Sequence, residues 1–460
     1  MAIQMHWLVK PGRNPVCARV LFCALAVLMV GGVAARGQAP TVPGKQVFYS
    51  TIGPLEQTVG RYQTDPRPQS AEGAFPILDW LLYGGLGFGV ACDYNLASSP
   101  TNPQRACGPQ VTPTVIAARN TGIQRTILYG VGDIRYYPTL GHDQIQLVNT
   151  TAGIAHVWEI QRDLIFRVQA QGTFSQDYSG LAANLLPTNA FLTTPLQYAQ
   201  GYASSSIQKE FGNFFTAIGG SFTRTVYRDL VDNFGNTIDE QFRNNSVSTL
   251  NTRFGYHISP IIYTFVEPTY NWTQYAASSL DSEGYRVVAG LGTGRIGLFN
   301  GEIYAGYAAQ RFEDPTIGTV SIPVVGGRLS WFPTRFVTYT FTADRVFGTS
   351  DFINVTPGST LNTAAGLLPG TTTITTTAAL SGTWDFSRLL SFNASVANSH
   401  LEYLNSFRRD DLLSLGAGVT FKVRANLGIS VNYTHQNLLT NFPGAAFTRD
   451  LISAGARSQF

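Results

Sequence analysis

The sequence is poor in charge. Asp, Glu, Lys and Arg make up 13% of its 460 residues, against about 25% in a typical soluble domain. Lysine occurs only at Lys10, Lys45, Lys209 and Lys422, so nearly all positive charge is Arg. The net charge of +3 is too small to imply nucleic acid. Cysteine is scarce at four residues, with no C-x-x-C spacing, which argues against a disulfide-dense scaffold or a zinc ribbon. Past residue 30 no run approaches 18 uninterrupted apolar residues, which excludes a helical membrane anchor there. The mean hydropathy of +0.02 excludes a bundle of transmembrane helices.

What is abundant points elsewhere. The chain carries 29 Phe, 21 Tyr and 46 Gly. Low charge, many rings and middling hydropathy fit strands with one apolar and one polar face.

The first residues read as a targeting segment. Lys10, Arg13 and Arg19 precede "VLFCALAVLMV" (20–30), an apolar run of signal-peptide length, and "GGVAARGQA" supplies small residues for cleavage after Ala35. Phe22 is too bulky to precede a lipidated Cys23. We therefore expect a signal peptide over 1–35, an extended periplasmic leader over 36–74 and the folded domain over 75–460. Export leaves Cys92 and Cys107, fifteen residues apart, and in an oxidising compartment the pair reads as one disulfide clasping a loop above a barrel rim. A redox or metal pair is the alternative; no nearby His supports it.

From about Phe75 the chain alternates. In "LLSLGAGVTFKVR", Leu413, Leu415, Ala417, Val419, Phe421 and Val423 point one way, and Ser414, Gly416, Gly418, Thr420, Lys422 and Arg424 the other. "LIFRVQAQGTF" (164–174) and "LGISVNYT" (427–434) repeat the pattern. A period of two is the strand signature. The runs reach ten or more residues, the length that a tilted strand needs to cross a membrane (about nine to eleven). Tight turns at 161–163, 211–213, 259–260, 298–301, 332–335, 386–388 and 424–426 alternate with longer polar joints at 177–197, 229–239, 276–283, 313–317, 348–369, 403–409 and 437–445. Short turns at one end and long loops at the other are the habit of outer-membrane barrels. The count gives about 18 strands, starting 76–92, 113–121, 125–136 and 144–159, with 240–258 and 370–385 among the later ones. Sixteen stays open, because alternation is poor at 144–159 and 370–385. The fold expected is all-β: a transmembrane antiparallel β-barrel.

Trp158, Trp331 and Trp384 fall at the short-turn ends of their hairpins, where an aromatic girdle would meet lipid headgroups; packing in a soluble sandwich is the alternative. The chain ends in Phe460, on one face with Ser458, Ala456, Ala454 and Ile452, and reads as a signal to the barrel-assembly machinery.

Two stretches together resemble the beta-barrel porin-2 type of outer-membrane protein. One is "YQTDPRPQSAEGAFPILDWLLYGGLGFGVACDYNLASS" (62–99), a Pro/Arg segment and a first strand ending at Asp93 and Asn95; Cys92 and Tyr94 replace the family's adjacent acids. The other is the recurring strand end "DIRYY" (133–137), "FTRTVYR" (222–228), "AQRFE" (309–313) and "ADRVF" (343–347). The resemblance covers roughly 60–460 and implies an outer-membrane barrel. Some such proteins resemble parts of surface-polysaccharide export systems.

The glycine run "GGLGFG" (84–89) is no phosphate cradle, since it lacks the Gly-Lys-Ser/Thr that opens a helix. Gly85, Gly87 and Gly89 are expected to leave the interior bare while Leu86, Phe88 and Val90 face lipid. Asp93 and Asn95 offer one carboxylate, short of a calcium site. No spacing joins any His to a nucleophile, so no catalytic residue, metal or cofactor is expected. Arg167, Lys422 and Arg424 alternate against lipid-facing neighbours and are candidates to line the lumen, biasing it toward anions or pairing with interior acids. The function expected is passage of small hydrophilic solutes by passive diffusion; a plugged structural or export-accessory barrel tied to surface polysaccharide is the alternative, and a soluble secreted all-β protein a third. The partners expected are outer-membrane lipid, the assembly machinery and small solutes, with no nucleic acid; a homo-oligomer stays open.

Overall fold

The computed structural model describes residues 75–96, 98, 103–140, 143–177, 194–231, 234–235, 237–296, 298–315, 317–349, 372–404, 407–424, 426–441 and 446–459, together with Lys45 and Gln46. The expected signal segment, most of the leader, and Phe460 lie outside them. Eighteen long strands follow in chain order. They are β1 (Trp80–Tyr94), β2 (Arg105–Asn120), β3 (Gln124–Leu140), β4 (Asp143–Gln161), β5 (Leu164–Asp177) and β6 (Leu196–Phe211). Next come β7 (Phe214–Tyr227), β8 (Asn245–His257), β9 (Ile262–Tyr275), β10 (Ser282–Ile296), β11 (Phe299–Phe312) and β12 (Thr319–Thr334). The last are β13 (Val337–Thr349), β14 (Thr372–Asp385), β15 (Leu390–Tyr403), β16 (Arg409–Arg424), β17 (Leu427–Thr440) and β18 (Phe447–Gln459). Each pairs antiparallel with its chain neighbours, and β18 pairs with β1 from Leu451–Asp93 to Gln459–Gly85. The sheet is a closed 18-strand barrel.

Alternation sets the two faces. Outside stand Phe88, Val90, Ile218, Phe222, Leu250, Phe254, Ile303, Val325, Val419 and Ile429, all exposed. Inside stand Asp93, Thr223, Thr225, Asn251, Arg253, Glu267, Asn271, Arg286 and Glu302, all buried. Apolar residues outward and polar residues inward invert a soluble protein, as a barrel in lipid requires. Rings on the inner face lie over glycines of the next strand. A Cβ on Gly292 would meet the Tyr263 ring at 2.2 Å, and one on Gly326 the Tyr304 hydroxyl at 2.6 Å.

Three starts differ from the sequence reading. The first strand is split: Phe75–Ile77 turns back through Leu78, whose φ is +55°, and pairs with Trp80–Leu82. Since β2 holds the other edge of β1, this short hairpin occupies the edge below the end of β18. The second strand begins at Arg105, eight residues before the expected 113. Gly108, Pro109 and Pro113 look like breakers, yet Gly108 is the residue the ladder needs: a Cβ there would lie 1.7 Å from the Tyr136 carbonyl oxygen. Cys107 therefore sits inside the ladder directly opposite Cys92, with Cα atoms 4.0 Å apart. The disulfide is a rung between β1 and β2, where a clasp across the loop was expected. The strand expected at 240–258 begins at Asn245, after a 3₁₀ turn at Gln241–Arg243.

The wall forks between β12 and β13. Pairing of β12 with β13 stops at Gly327–Ala343, seven residues above the end of β12. Above that, β12 continues on β11 alone and β13 on β14, with Lys45–Gln46 against Gly348 and Thr349. Phe341 points outward and is exposed. The β13–β14 register runs unbroken to Thr349, so Phe347 shares the outward side of Phe341. Yet Phe347 is fully buried and packs edge-to-face on Phe312, 6.2 Å between centroids. Phe312 points inward from β11, as do Ile322 and Val324 from β12, and Ile374 of β14 joins the same cluster. Both facts hold together only if the upper part of β13–β14 lies inside the wall, its outer face on the inner face of β11–β12. The joint 350–371 that links these two strands lies outside the described residues.

Two outcomes are expected. A cysteine at Phe341→Cys will react with a bilayer-confined maleimide, and one at Phe347→Cys will be protected; equal labelling would place both on the lipid face. Cys107→Ser will still give a heat-modifiable barrel, destabilised by roughly 3 kcal/mol, the chain-entropy value for a fifteen-residue loop; urea unfolding checks this.

Candidate functional site

A cavity of about 270 Å³ lies inside the barrel at the fork. Gly327 and Ala343, the last pair before β12 and β13 separate, belong to its lining. So do three guanidiniums, Arg253, Arg286 and Arg328, and three carboxylates, Glu267, Glu302 and Asp344. Phe265 and Tyr304 supply its ring faces.

The charges are not equally used. Arg253 donates from Nε to Glu267 Oε2 at 2.6 Å and from Nη1 to Glu302 Oε1 at 3.0 Å. The Tyr263 hydroxyl also donates to Glu302. Arg253 lies 4.1 Å over the Phe265 ring. All three charged groups are buried, so each depends on the others. Arg286 stacks 4.9 Å over Tyr304, and its nearest carboxylate oxygen, on Asp344, is 4.0 Å from Nη2. Its Nε is buried with no hydrogen-bond partner among the described residues.

Other inward charges hold the rim of the long loops. Arg449 on β18 donates to Asp93 on β1 at 2.8 Å, across the closing seam. Arg135 binds Asp133 at 2.6 Å, and Gln110 donates to Asp133 at 2.7 Å. Arg408 and the Tyr403 hydroxyl both donate to Asp410, at 2.6 and 2.8 Å. Asp93 is thus a structural carboxylate, and the Asn95 side chain bonds the Thr448 carbonyl.

The residues singled out in the sequence are dispersed. Arg167 lies on the inward side of β5, where Nη1 donates to Gln208 Oε1 at 3.1 Å. Lys422 lies on the inward side of β16 opposite Gly428, whereas a register shift sets Arg424 opposite Leu427, on the outward side beside the short turn; both are exposed. None of the three lines the cavity at the fork. Trp158 and Trp331 are outward and exposed near short turns. Trp331 stacks on Tyr339 at 5.4 Å, and Trp384 on Phe392 at 5.6 Å. At the same end Phe214 meets Tyr256 at 4.8 Å. Tyr94, Tyr270, Trp272, Tyr285, Tyr307 and Tyr433 are outward toward the long loops. In the short turn after β4, hydrogen bonding from Lys209 holds the Asp163 carboxyl below its ordinary value.

Sequence reasoning missed the cavity. Its charges sit on six strands, one on each from Arg253 on β8 to Asp344 on β13, and no local spacing links them. A usable signal exists all the same: each charge occupies the inward parity of an alternating strand, where lipid-exposed barrels place polar residues. His400 and His435 bond Asp411 and Asp450, each at 2.7 Å, on the outward face. Neither pair reaches the lumen. Among the described residues no cluster of His, Cys, Asp and Glu could hold a metal ion.

Arg253→Ala will leave Glu267 and Glu302 buried and unbalanced. A loss of about 3–5 kcal/mol is expected, read as a lower urea midpoint. Arg253→Ala with Glu267→Gln and Glu302→Gln will recover much of it, because no net charge stays behind.

No curated protein matches the chain. Among solved structures it is similar to the "Copper transporter OprC", with 8% identity, 82% of this chain and 81% of that one covered, and a TM-score of 0.41. It is also similar to the outer membrane protein opdK from Pseudomonas aeruginosa, with 11% identity, 82% and 99% covered, and a TM-score of 0.38. A third is OpdL from Pseudomonas aeruginosa, with 9% identity, 84% and 100% covered, and a TM-score of 0.39. The family described as "Putative beta-barrel porin 2" matches residues 76–460, the whole barrel, and the chain belongs to that family of outer-membrane β-barrels.

Proposed function

We propose that the barrel is a passive channel for small hydrophilic solutes, without enzymatic activity. The observation that carries this is the inner face. Polar and charged side chains occupy it on strand after strand, from Gln169 and Ser206 through Asn251 and Asn271 to Asn393 and Ser414. A lumen of that kind solvates polar solutes, while the apolar outer face supports membrane lipid contact. On this reading Arg167 and Lys422 contribute positive potential inside the short-turn end, with Arg424 adding to it from the turn itself. The outward Trp158, Trp331 and Trp384 would form the girdle at that boundary, and Phe460 would address the assembly machinery.

One observation favours a narrowed conduit. The folded-in part of β13–β14 brings Phe347 and Ile374 against the inner wall and takes up lumen space. In the extreme that is the second reading, a plugged barrel serving surface-polysaccharide export.

Single-channel recording in a planar bilayer separates the two. Stable steps in KCl support the channel, and silence from heat-modifiable, correctly folded protein supports the plugged barrel. Arg167→Gln with Arg424→Gln will shift the reversal potential in a salt gradient toward cations. An unchanged potential would remove these two residues from the selectivity account.

A further inference from the structure

We propose that the cavity at the fork is a binding site for small monocarboxylates, with Arg286 as its anchoring cation. It rests on the channel reading only for how the ligand arrives. The case begins with what the cavity leaves unsatisfied. A guanidinium carries five N–H donors, and buried donors without acceptors are costly. Arg253 is served by Glu267, Glu302 and the ring of Phe265. Arg286 is not served in the same way. Its side chain is 5% exposed, its Nε has no hydrogen-bond partner among the described residues, and Asp344 stands 4.0 Å away, too far for a hydrogen bond. Arg286 also lines the cavity, so an anion there would complete its donor set. Planar, two-oxygen acceptors fit a guanidinium fork best.

The surroundings narrow the class. Glu267, Glu302 and Asp344 share the cavity walls, so a dianion meets three like charges. A single negative charge meets the same repulsion at half strength. The volume of about 270 Å³ lies at the small end of ligand sites. Tyr304, Phe265 and Val288 offer apolar surface beside the cation. Arg328 and the hydroxyl-bearing Thr342 and Thr377 complete the lining. The occupant indicated is a compact monoanion with a flat carboxylate and a small apolar body.

Benzoate is a suitable probe, and benzamide its neutral counterpart of matched shape. Isothermal titration calorimetry on the detergent-solubilised barrel is expected to show binding of benzoate and at least tenfold weaker binding of benzamide. Arg286→Gln is expected to abolish the difference, with heat-modifiable migration showing that it folds. Arg286→Lys is expected to retain part of it, since the charge stays and the fork is lost. Asp344→Asn is expected to tighten benzoate several-fold by removing the nearest like charge. Equal binding of benzoate and benzamide, no binding of either, or full benzoate binding by folded Arg286→Gln would overturn the proposal. Conductance is read separately. A barrel that binds benzoate through Arg286 and passes no current keeps the site and fails the channel reading. One that conducts and does not bind benzoate keeps the channel and fails the site.

Discussion

Backbone pairing around a closed ring is the constraint on which everything else depends. In hydrocarbon no water is available to an N–H or C=O, so a strand must pair on both sides. The pairing of β18 with β1 removes the two edges that an open sheet would expose. Every other property follows from that closure. It forces alternate side chains to lipid and lumen, so the chain can afford little charge on one of every two positions. The low charge content and the abundant rings and glycines are consequences of this division. The inward rings of Tyr263 and Tyr304 lie where the neighbouring strands offer Gly292 and Gly326, which have no side chain to displace.

The fork between β12 and β13 is the longest departure from this rule among the described strands, and it is placed where it can be tolerated. It starts at Gly327–Ala343, seven residues above the lower end of β12, when a tilted strand needs about nine to eleven residues to cross. The freed upper strands therefore lie toward the outer boundary. Folding β13–β14 inward buries Phe347 and Ile374 against Phe312, Ile322 and Val324. It also creates the cavity beneath, since a wall bent inward leaves a wedge at its hinge. The charges there belong to the wedge: Arg286 and Asp344 approach from opposite sides of the fork and stop 4.0 Å apart.

The barrel itself was readable because its evidence is periodic. Long alternating runs such as Leu413–Val423, and turns that switch between short and long, report strand number and membrane crossing with no tertiary information. The departures were unreadable for physical reasons. Gly108 and Pro109 signal a break by local preference, and the ladder overrides it because Tyr136 on the next strand fills the space a side chain would need. Leu78 at positive φ contradicts its own preference and gives no warning of the turn that splits the first strand. The bend of β13–β14 keeps its alternation intact, so Phe347 reads as one more lipid-facing ring. Arg167, Lys422 and Arg424 were visible because each contrasts with its immediate neighbours. Arg253 and Arg286 are equally regular, and what sets them apart is their partners on other strands.

The outward His–Asp pairs act as a depth gauge. Asp450 accepts from the Tyr433 hydroxyl at 2.6 Å and bonds His435, all on the outer face of β17–β18. A carboxylate in that position cannot lie among acyl chains, so it marks the level at which hydrocarbon ends. Below it the outward residues of β18 are Ile452, Ala454, Ala456 and Ser458. Eight residues at the usual rise and a tilt near 40° span roughly 20 Å, somewhat less than the apolar band of a typical outer-membrane barrel. At the seam, then, Asp450 marks where the outer headgroups begin.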